Sequence, residues 1–373
     1  MRDLLVSARN AIERFVYKNV FKHIFFLIDP ETIHNRMVRL GKLLGQFKIA
    51  RWLIALFFSY SNKKLAQDIL GIHFFNPIGL AAGFDKDAEL VNILPSVGFG
   101  FAEVGSITGE PCAGNPKPRL WRLKRSKGLV VYYGLKNYGC EAIAENLKGK
   151  KFKIPIGVSI AKTNSKDTVD LRAGIKDYVK AFMVMGGVGS YVTINISCPN
   201  AYGGEPFIDP GSLDKLLKEI FSIPKKKPVF IKLSPDLSDK EIDDIIEIAG
   251  KYGIDGFICT NLTKKRHESL KDKKVSDKGG ISGKGLHSLP NKVIRYVYQK
   301  TKGRYVIIGT GGVFTAEDAY EKIKAGASLV QLITGMIFEG PQVIGEINQG
   351  LVRLLEKDGF ENISEAVGIE NKF

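Results

Sequence analysis

Tyr305-Val306-Ile307-Ile308-Gly309-Thr310-Gly311-Gly312, followed after a helical stretch by Leu329-Val330-Gln331-Leu332-Ile333-Thr334-Gly335, decides how the chain folds. Each is a short apolar or β-branched run joined to a helical segment, the signature of a parallel sheet with crossover helices. The same unit recurs upstream at Ile78 to Gly83, Phe99 to Ile107, Ile154 to Lys162, Tyr191 to Ser197, Val229 to Ser234 and Gly256 to Asn261. Eight such units match a closed (β/α)8 barrel better than an open doubly wound sheet, and a barrel places its chemistry at the C-terminal ends of the strands. The fold expected is α/β, a (β/α)8 TIM barrel over 69–373, with a helical extension over 1–68.

In that extension Leu5, Ala8, Ile12, Val16, Val20, Ile24 and Ile28 recur in steps of three or four and so share one helical face. Arg9, Arg14, Lys18 and Lys22 are interleaved with them. The pattern suits a helix lying in a membrane interface, with its cations toward headgroups and Phe15, Phe21 and Phe25 below, or a helix packed on the barrel. Asp29-Pro30-Glu31-Thr32 predicts a second helix with an N-cap and a proline in its first turn, and a third apolar stretch runs from Phe47 to Tyr60.

The 373 residues are 44% hydrophobic and carry a formal charge of +16, which favours acidic surfaces such as anionic lipid or phosphorylated ligands. Clusters such as Lys225 to Lys227 fall where solvated loops are expected, and no nucleic-acid module is legible. Cys112, Cys140, Cys198 and Cys259 lie far apart without a CxxC pair, so neither a metal site nor a disulfide framework is expected, and a reducing cytoplasm fits. The longest apolar runs fall far short of the roughly 20 residues of a spanning helix, and charges interrupt the opening where a cleavable signal would be apolar. A peripheral position on the cytoplasmic side of the cell membrane is the expectation.

The strand ends carry the chemistry. Gly280-Ile281-Ser282-Gly283 and Gly309 to Gly312, with Thr334-Gly335, let backbone N–H groups approach an anion closely, so a phosphate is expected there. No GxGxxG opens an early βαβ unit, which argues against a dinucleotide. Lys86 and Lys232 put ammonium groups at the barrel mouth, able to neutralise a reduced cofactor ring or hold a substrate carboxylate. A lysine inside an apolar strand such as Val229 to Leu233 is costly unless it has a partner or a task. Asn195-Ile196-Ser197-Cys198-Pro199-Asn200 presents two amides beside a thiol able to exchange a proton, and Thr260-Asn261 adds another amide from across the mouth.

In order and spacing, Ala81 to Lys86, Gly105 to Thr108, Lys117 to Arg119, Asn195 to Asn200, Lys232 to Leu237, Thr260-Asn261, Gly279 to Gly283 and Gly309 to Gly312 resemble the motifs of the dihydroorotate dehydrogenases. The helical extension, including Asp29 to Glu31 and His34, resembles that of the membrane-associated, quinone-reducing class. The resemblance implies FMN held by Ala82, Gly83, Lys86, Ser106, Ser159, Asn195, Lys232, Thr260, Gly283, Gly312, Ile333 and Thr334. It also implies a dihydroorotate pocket lined by Lys86, Asn195, Asn200 and Asn261, with Cys198 as the catalytic base, a quinone as electron acceptor and a membrane surface as partner.

The chain departs from that pattern at four places. Cys198 stands where the quinone-linked class has serine, and a thiol's reference pKa near 8.5 would let it work at lower pH than an alcohol. Val131 and Leu262 stand where the family has an asparagine and a hydroxyl residue, and Ser159 where it has a flavin-contacting asparagine. Dihydroorotate oxidation is therefore one reading. A paralogous FMN oxidoreductase acting on a less polar ring, and a non-catalytic flavin-binding module at the membrane, are the others.

Overall fold

The computed structural model describes residues 2–371. Its centre is a closed barrel of eight parallel strands paired in chain order: β1 (Ile78–Leu80), β2 (Phe101–Ile107), β3 (Ile156–Ile160), β4 (Tyr191–Asn195), β5 (Val229–Leu233), β6 (Gly256–Cys259), β7 (Val306–Thr310) and β8 (Leu329–Leu332). The eight-stranded expectation holds, with β8 pairing to β1 to close the ring. Strand alternation sorts the interior into layers. Phe101, Tyr191, Phe230, Ile258, Ile308 and Leu329 make an apolar floor, sealed from below by Phe74 of an antiparallel hairpin (Gln67–Ile69 with Ile72–Phe74). Two residues further along β4 and β5 the same inward faces carry Thr193, then Asn195 and Lys232, which are directly paired in register.

The segment Gly280–Gly283, expected as a phosphate-approaching turn, is instead the third strand of a small antiparallel sheet with Leu120–Leu123 and Gly128–Val131. That sheet lies over the barrel mouth. It was not expected, because two of its three strands come from the loop after β2 and one from the loop after β6.

The extension runs as α1 (Arg2–Val16), a π-helical turn (Tyr17–Phe21), α2 (Lys22–Leu27), α3 (Pro30–Gln46) and α4 (Lys48–Phe58). Asp29 caps α3 as anticipated, its carboxylate accepting from Thr32 N at 2.9 Å ahead of Pro30. Most of the predicted apolar face is solvent-exposed: Leu5, Ala8, Ile12, Val16, Val20 and Ile24 lie outside, Ile28 is half-buried, and Leu27, beside that row, is 86% exposed.

The interleaved cations were expected to face lipid headgroups, and the structure corrects this. Arg14 pairs with Glu346 at 2.7 Å, Lys18 pairs with Glu339, Arg9 donates to the carbonyl oxygens of Leu56 and Ser59, and Lys22 lies over the rings of Phe26 and Phe338. Arg14, Lys18 and Lys22 lie on the opposite helical side from the exposed apolar row, whereas Arg9, one turn from Leu5 and Ile12, reaches sideways to the end of α4. Among the described residues no helix is long and apolar enough to cross a membrane.

Candidate active site

A cleft of about 1270 Å³, its open mouth included, lies at the C-terminal ends of the strands beneath the small sheet. Of the residues expected at the site, Ala82, Gly83, Lys86, Ser106, Asn195, Cys198, Asn200, Lys232, Thr260, Asn261, Gly312, Ile333 and Thr334 all line it. Ser159 and Gly283 do not. Ser159 is fully buried and its hydroxyl lies 2.7 Å from that of Ser106, so it supports the lining from behind. Gly283 packs on Gly128 in the antiparallel sheet, and its neighbour Ser282 faces the cleft with its hydroxyl 2.7 Å from Thr334 Oγ1.

The wall at the end of β4 is a connected amide network. Asn195 donates to Ser106 Oγ at 2.8 Å, and Asn261 donates to Ser197 O at 2.7 Å and to Asn195 Oδ1 at 3.2 Å. Asn200 donates to the backbone oxygen of Val131 at 3.0 Å, while its own side-chain oxygen is buried and without a partner, an acceptor still open to a ligand N–H. Cys198 sits between these asparagines. Burial pushes its thiol up to about 11, against the pull of an Asn200 backbone hydrogen bond and of Lys162 and Lys232. The thiol is thus harder to ionise than an ordinary cysteine, because desolvation outweighs the nearby positive charge.

Lys232 faces the cleft from β5, lowered by burial and held partly up by the Glu103 carboxylate. Glu103 lies one layer below, fully buried, accepting from Thr193 Oγ1 at 3.0 Å and Tyr191 OH at 3.3 Å. Lys86, after β1, is lowered to about 8 by burial and lies 4.1 Å from the centre of the Tyr133 ring. Among the described residues three lysines, Lys86, Lys136 and Lys232, line the cleft and no carboxylate does, so anionic ligands are favoured.

The opposite wall is apolar, with Leu120, Leu129 and Val131 from the sheet facing Val313, Ile333 and Ile337. Sequence reasoning did not place Leu120, Leu129 or Lys136 here, because their approach depends on how the sheet folds over the mouth. The interleaved apolar positions of 120–131 are the one sequence signal that could have revealed it.

At the glycine end, Gly311 and Gly312 both adopt positive φ, 110° and 71°, and an added Cβ at Gly312 would strike His287. Gly83 also has positive φ, 105°, and an added Cβ there would meet no atom within 4 Å, so its bareness keeps the space above β1 open.

A family model described as dihydroorotate dehydrogenase matches residues 64–355. The chain belongs to the dihydroorotate dehydrogenase family. A dihydroorotate dehydrogenase (quinone) of Trichodesmium erythraeum is 36% identical over 380 residues, covering 95% of this chain and 100% of that protein. One of Haloarcula marismortui is 37% identical over 352 residues, covering 94% and 99%. The ligand-free DHODH structure from Eimeria tenella superposes with a TM-score of 0.79 at 31% identity, covering 90% of this chain and 99% of that one. The DHODH structure from the same organism in complex with ferulenol gives 0.78 at 32% identity, covering 86% and 94%.

Dihydroorotate dehydrogenases are flavin-dependent in general, and the cleft has the two characters such a ligand asks for. Bare glycine backbone and the paired hydroxyls of Ser282 and Thr334 lie at one end, and amides with the Lys86 and Lys232 ammonium groups at the other.

Proposed function

We propose that this chain oxidises dihydroorotate to orotate with FMN as its cofactor and a quinone as electron acceptor, as a peripheral protein at the cytoplasmic side of the cell membrane. The observation that carries the reading is the convergence of Cys198, Asn195, Asn200 and Asn261 with Lys86 and Lys232 on one cleft, in a chain whose quinone-linked relatives match it from end to end.

The donor set fits FMN. A monophosphate suits the Gly311-Gly312 backbone with the Ser282 and Thr334 hydroxyls, Ala82, Gly83, Ser106 and Thr260 frame a flat ring system, and Lys232 offers positive charge beside it. When bound, FMN supplies the hydride acceptor. The chain's own residues do the rest: the amides orient the substrate ring, Lys86 neutralises its carboxylate, and Cys198 takes the proton from carbon in its thiolate form. The exposed apolar row of α1, α2 and α4 supplies the lipid contact.

Anaerobic mixing of the purified protein with dihydroorotate tests the reading. Bleaching of the oxidised-flavin band is expected, and reoxidation by an added quinone completes the cycle. An unbleached flavin would overturn the substrate assignment.

A second reading has a specific observation in its favour. Val131 and Leu262 both line the cleft where the family pattern is polar, which suits a paralogous oxidoreductase acting on a less polar ring. Under the first reading, Val131→Asn with Leu262→Thr tightens orotate binding by about 1 to 3 kcal/mol per recovered contact. Titration of orotate against the flavin spectrum measures this. Tight binding by the parent that weakens in the double variant would remove the case for a less polar substrate.

A further inference from the structure

The extension contributes a side chain to the cleft itself. His34, on α3, lies with Nε2 at 2.9 Å from Lys86 Nζ, the one hydrogen-bond partner of that ammonium among the described residues. Its ring stands edge-on to Phe84, with centroids 4.9 Å apart at 90°, and 6.3 Å from Tyr133. One turn earlier on the same face of α3, Glu31 pairs with Arg119 at 2.8 Å, and both are buried. A helix pinned at that point presents His34 to Lys86 in a fixed place.

We infer that His34 is a positioning residue for the Lys86 ammonium in the substrate half of the cleft, so that the N-terminal extension takes part in substrate oxidation as well as facing the acceptor. The inference rests on the proposed dihydroorotate activity for the identity of the substrate.

Three observations carry it. First, the direction of the hydrogen bond is fixed by charge. Burial, then the nearby Lys86 and Lys136, hold the imidazole well below its ordinary range, so it is neutral and Nε2 is the acceptor.

Second, a lysine ammonium has three donors; His34 takes one and leaves two for a ligand carboxylate. Lys86 also lies over the Tyr133 ring, so its stem is held between an acceptor and an aromatic face. Third, no carboxylate lines the cleft among the described residues, and the second cation Lys136 repels Lys86. Without His34 the ammonium would have no hydrogen-bond acceptor among the described residues, and the Tyr133 face alone would lie against it.

The test uses the full-length holoenzyme and separates the two half-reactions. In His34→Ala the dihydroorotate concentration for half-maximal flavin reduction is expected to rise about 10-fold or more, with a smaller effect on the limiting rate. In His34→Gln, whose side-chain oxygen can replace Nε2 as acceptor, it is expected to stay within about threefold of the parent. Reoxidation by a soluble short-chain quinone is measured alongside. A reductive half-reaction unchanged in His34→Ala, whatever happens to reoxidation, or a glutamine variant as impaired as the alanine one, overturns the inference.

Ring 15N spectra of the full-length protein, which has five histidines, give a readout independent of any substrate. His34 should be the Nδ1–H tautomer with an unprotonated Nε2 whose resonance moves in Lys86→Met; a protonated Nε2, or no movement, overturns the positioning role. If dihydroorotate fails to bleach the parent flavin, the proposed function falls, and the ring spectra alone decide the role of His34.

Discussion

The barrel and the N-terminal helices follow opposite rules. In the barrel, apolar side chains point inward and stack into a sealed floor, and polar groups appear inside only above it, first Glu103 with Thr193 and Gln331 and then the lining of the cleft. On α1 and α2, polar and charged side chains point inward: Asn10 is buried at 3% exposure, Arg14 and Lys18 reach carboxylates of the barrel, and the apolar row faces out. Leaving so many large apolar side chains in water carries a cost of about 25 cal/mol for each Å² that could have been buried, so the surface is built for a partner. An amphipathic pattern therefore tells which residues share a face, and says nothing of which face the protein itself will cover.

The largest test of this contrast lies where the extension uses its polar face most heavily. Glu31→Gln leaves Arg119 buried without its counter-charge and is expected to cost about 3–5 kcal/mol, read by chemical denaturation. The Glu31 carboxyl is pulled up by burial but pulled down further by Arg119, so its folded pKa lies below the ordinary value. Stability from the pair is then present above the ordinary glutamate pKa and lost as pH falls through the depressed one. A cost below about 1 kcal/mol would show that the helix docks by something other than this pair.

In the barrel the equivalent stake is apolar. Ile231→Ala, at a fully buried position of β5, is expected to cost about 2–5 kcal/mol through lost burial and the cavity left behind.

The chemistry of the barrel gives a third test. Cys198→Ala should slow flavin reduction by about 10²-fold or more while flavin remains bound. In the parent, with the thiol pushed up to about 11, the thiolate fraction and hence the reduction rate should rise about tenfold per pH unit through the neutral and mildly alkaline range. A rate flat from neutral pH upward would mean that bound cofactor and substrate lower the thiol, or that Cys198 is not the base.

The smallest effect on stability is expected on the exposed row. Ile12→Ala, at a site 65% exposed, should change stability by no more than about 0.5 kcal/mol, in contrast to the same truncation in β5. Its effect should appear instead as weakened flotation with liposomes. A stability loss comparable with that of Ile231→Ala would mean that the protein covers this face itself.

The sequence by itself determined the eight strands, their order, the capped start of α3 and most of the cleft lining, because each strand end carries its own chemical signature within a few residues. Lys232 in an apolar strand and Asn195 to Asn200 at a strand terminus were legible for that reason. What only the tertiary structure decided depends on segments distant in the chain meeting. The sheet formed by 120–131 with 280–283 moved Gly283 off the cleft wall and put Ser282, Leu129 and Val131 on it. The packing of β3 set Ser159 behind Ser106. The burial of Cys198 pushed its thiol up, and the docking of α3 brought His34 to Lys86 across 52 residues of sequence. Desolvation and long-range hydrogen bonds belong to the folded arrangement, and no local pattern encodes them.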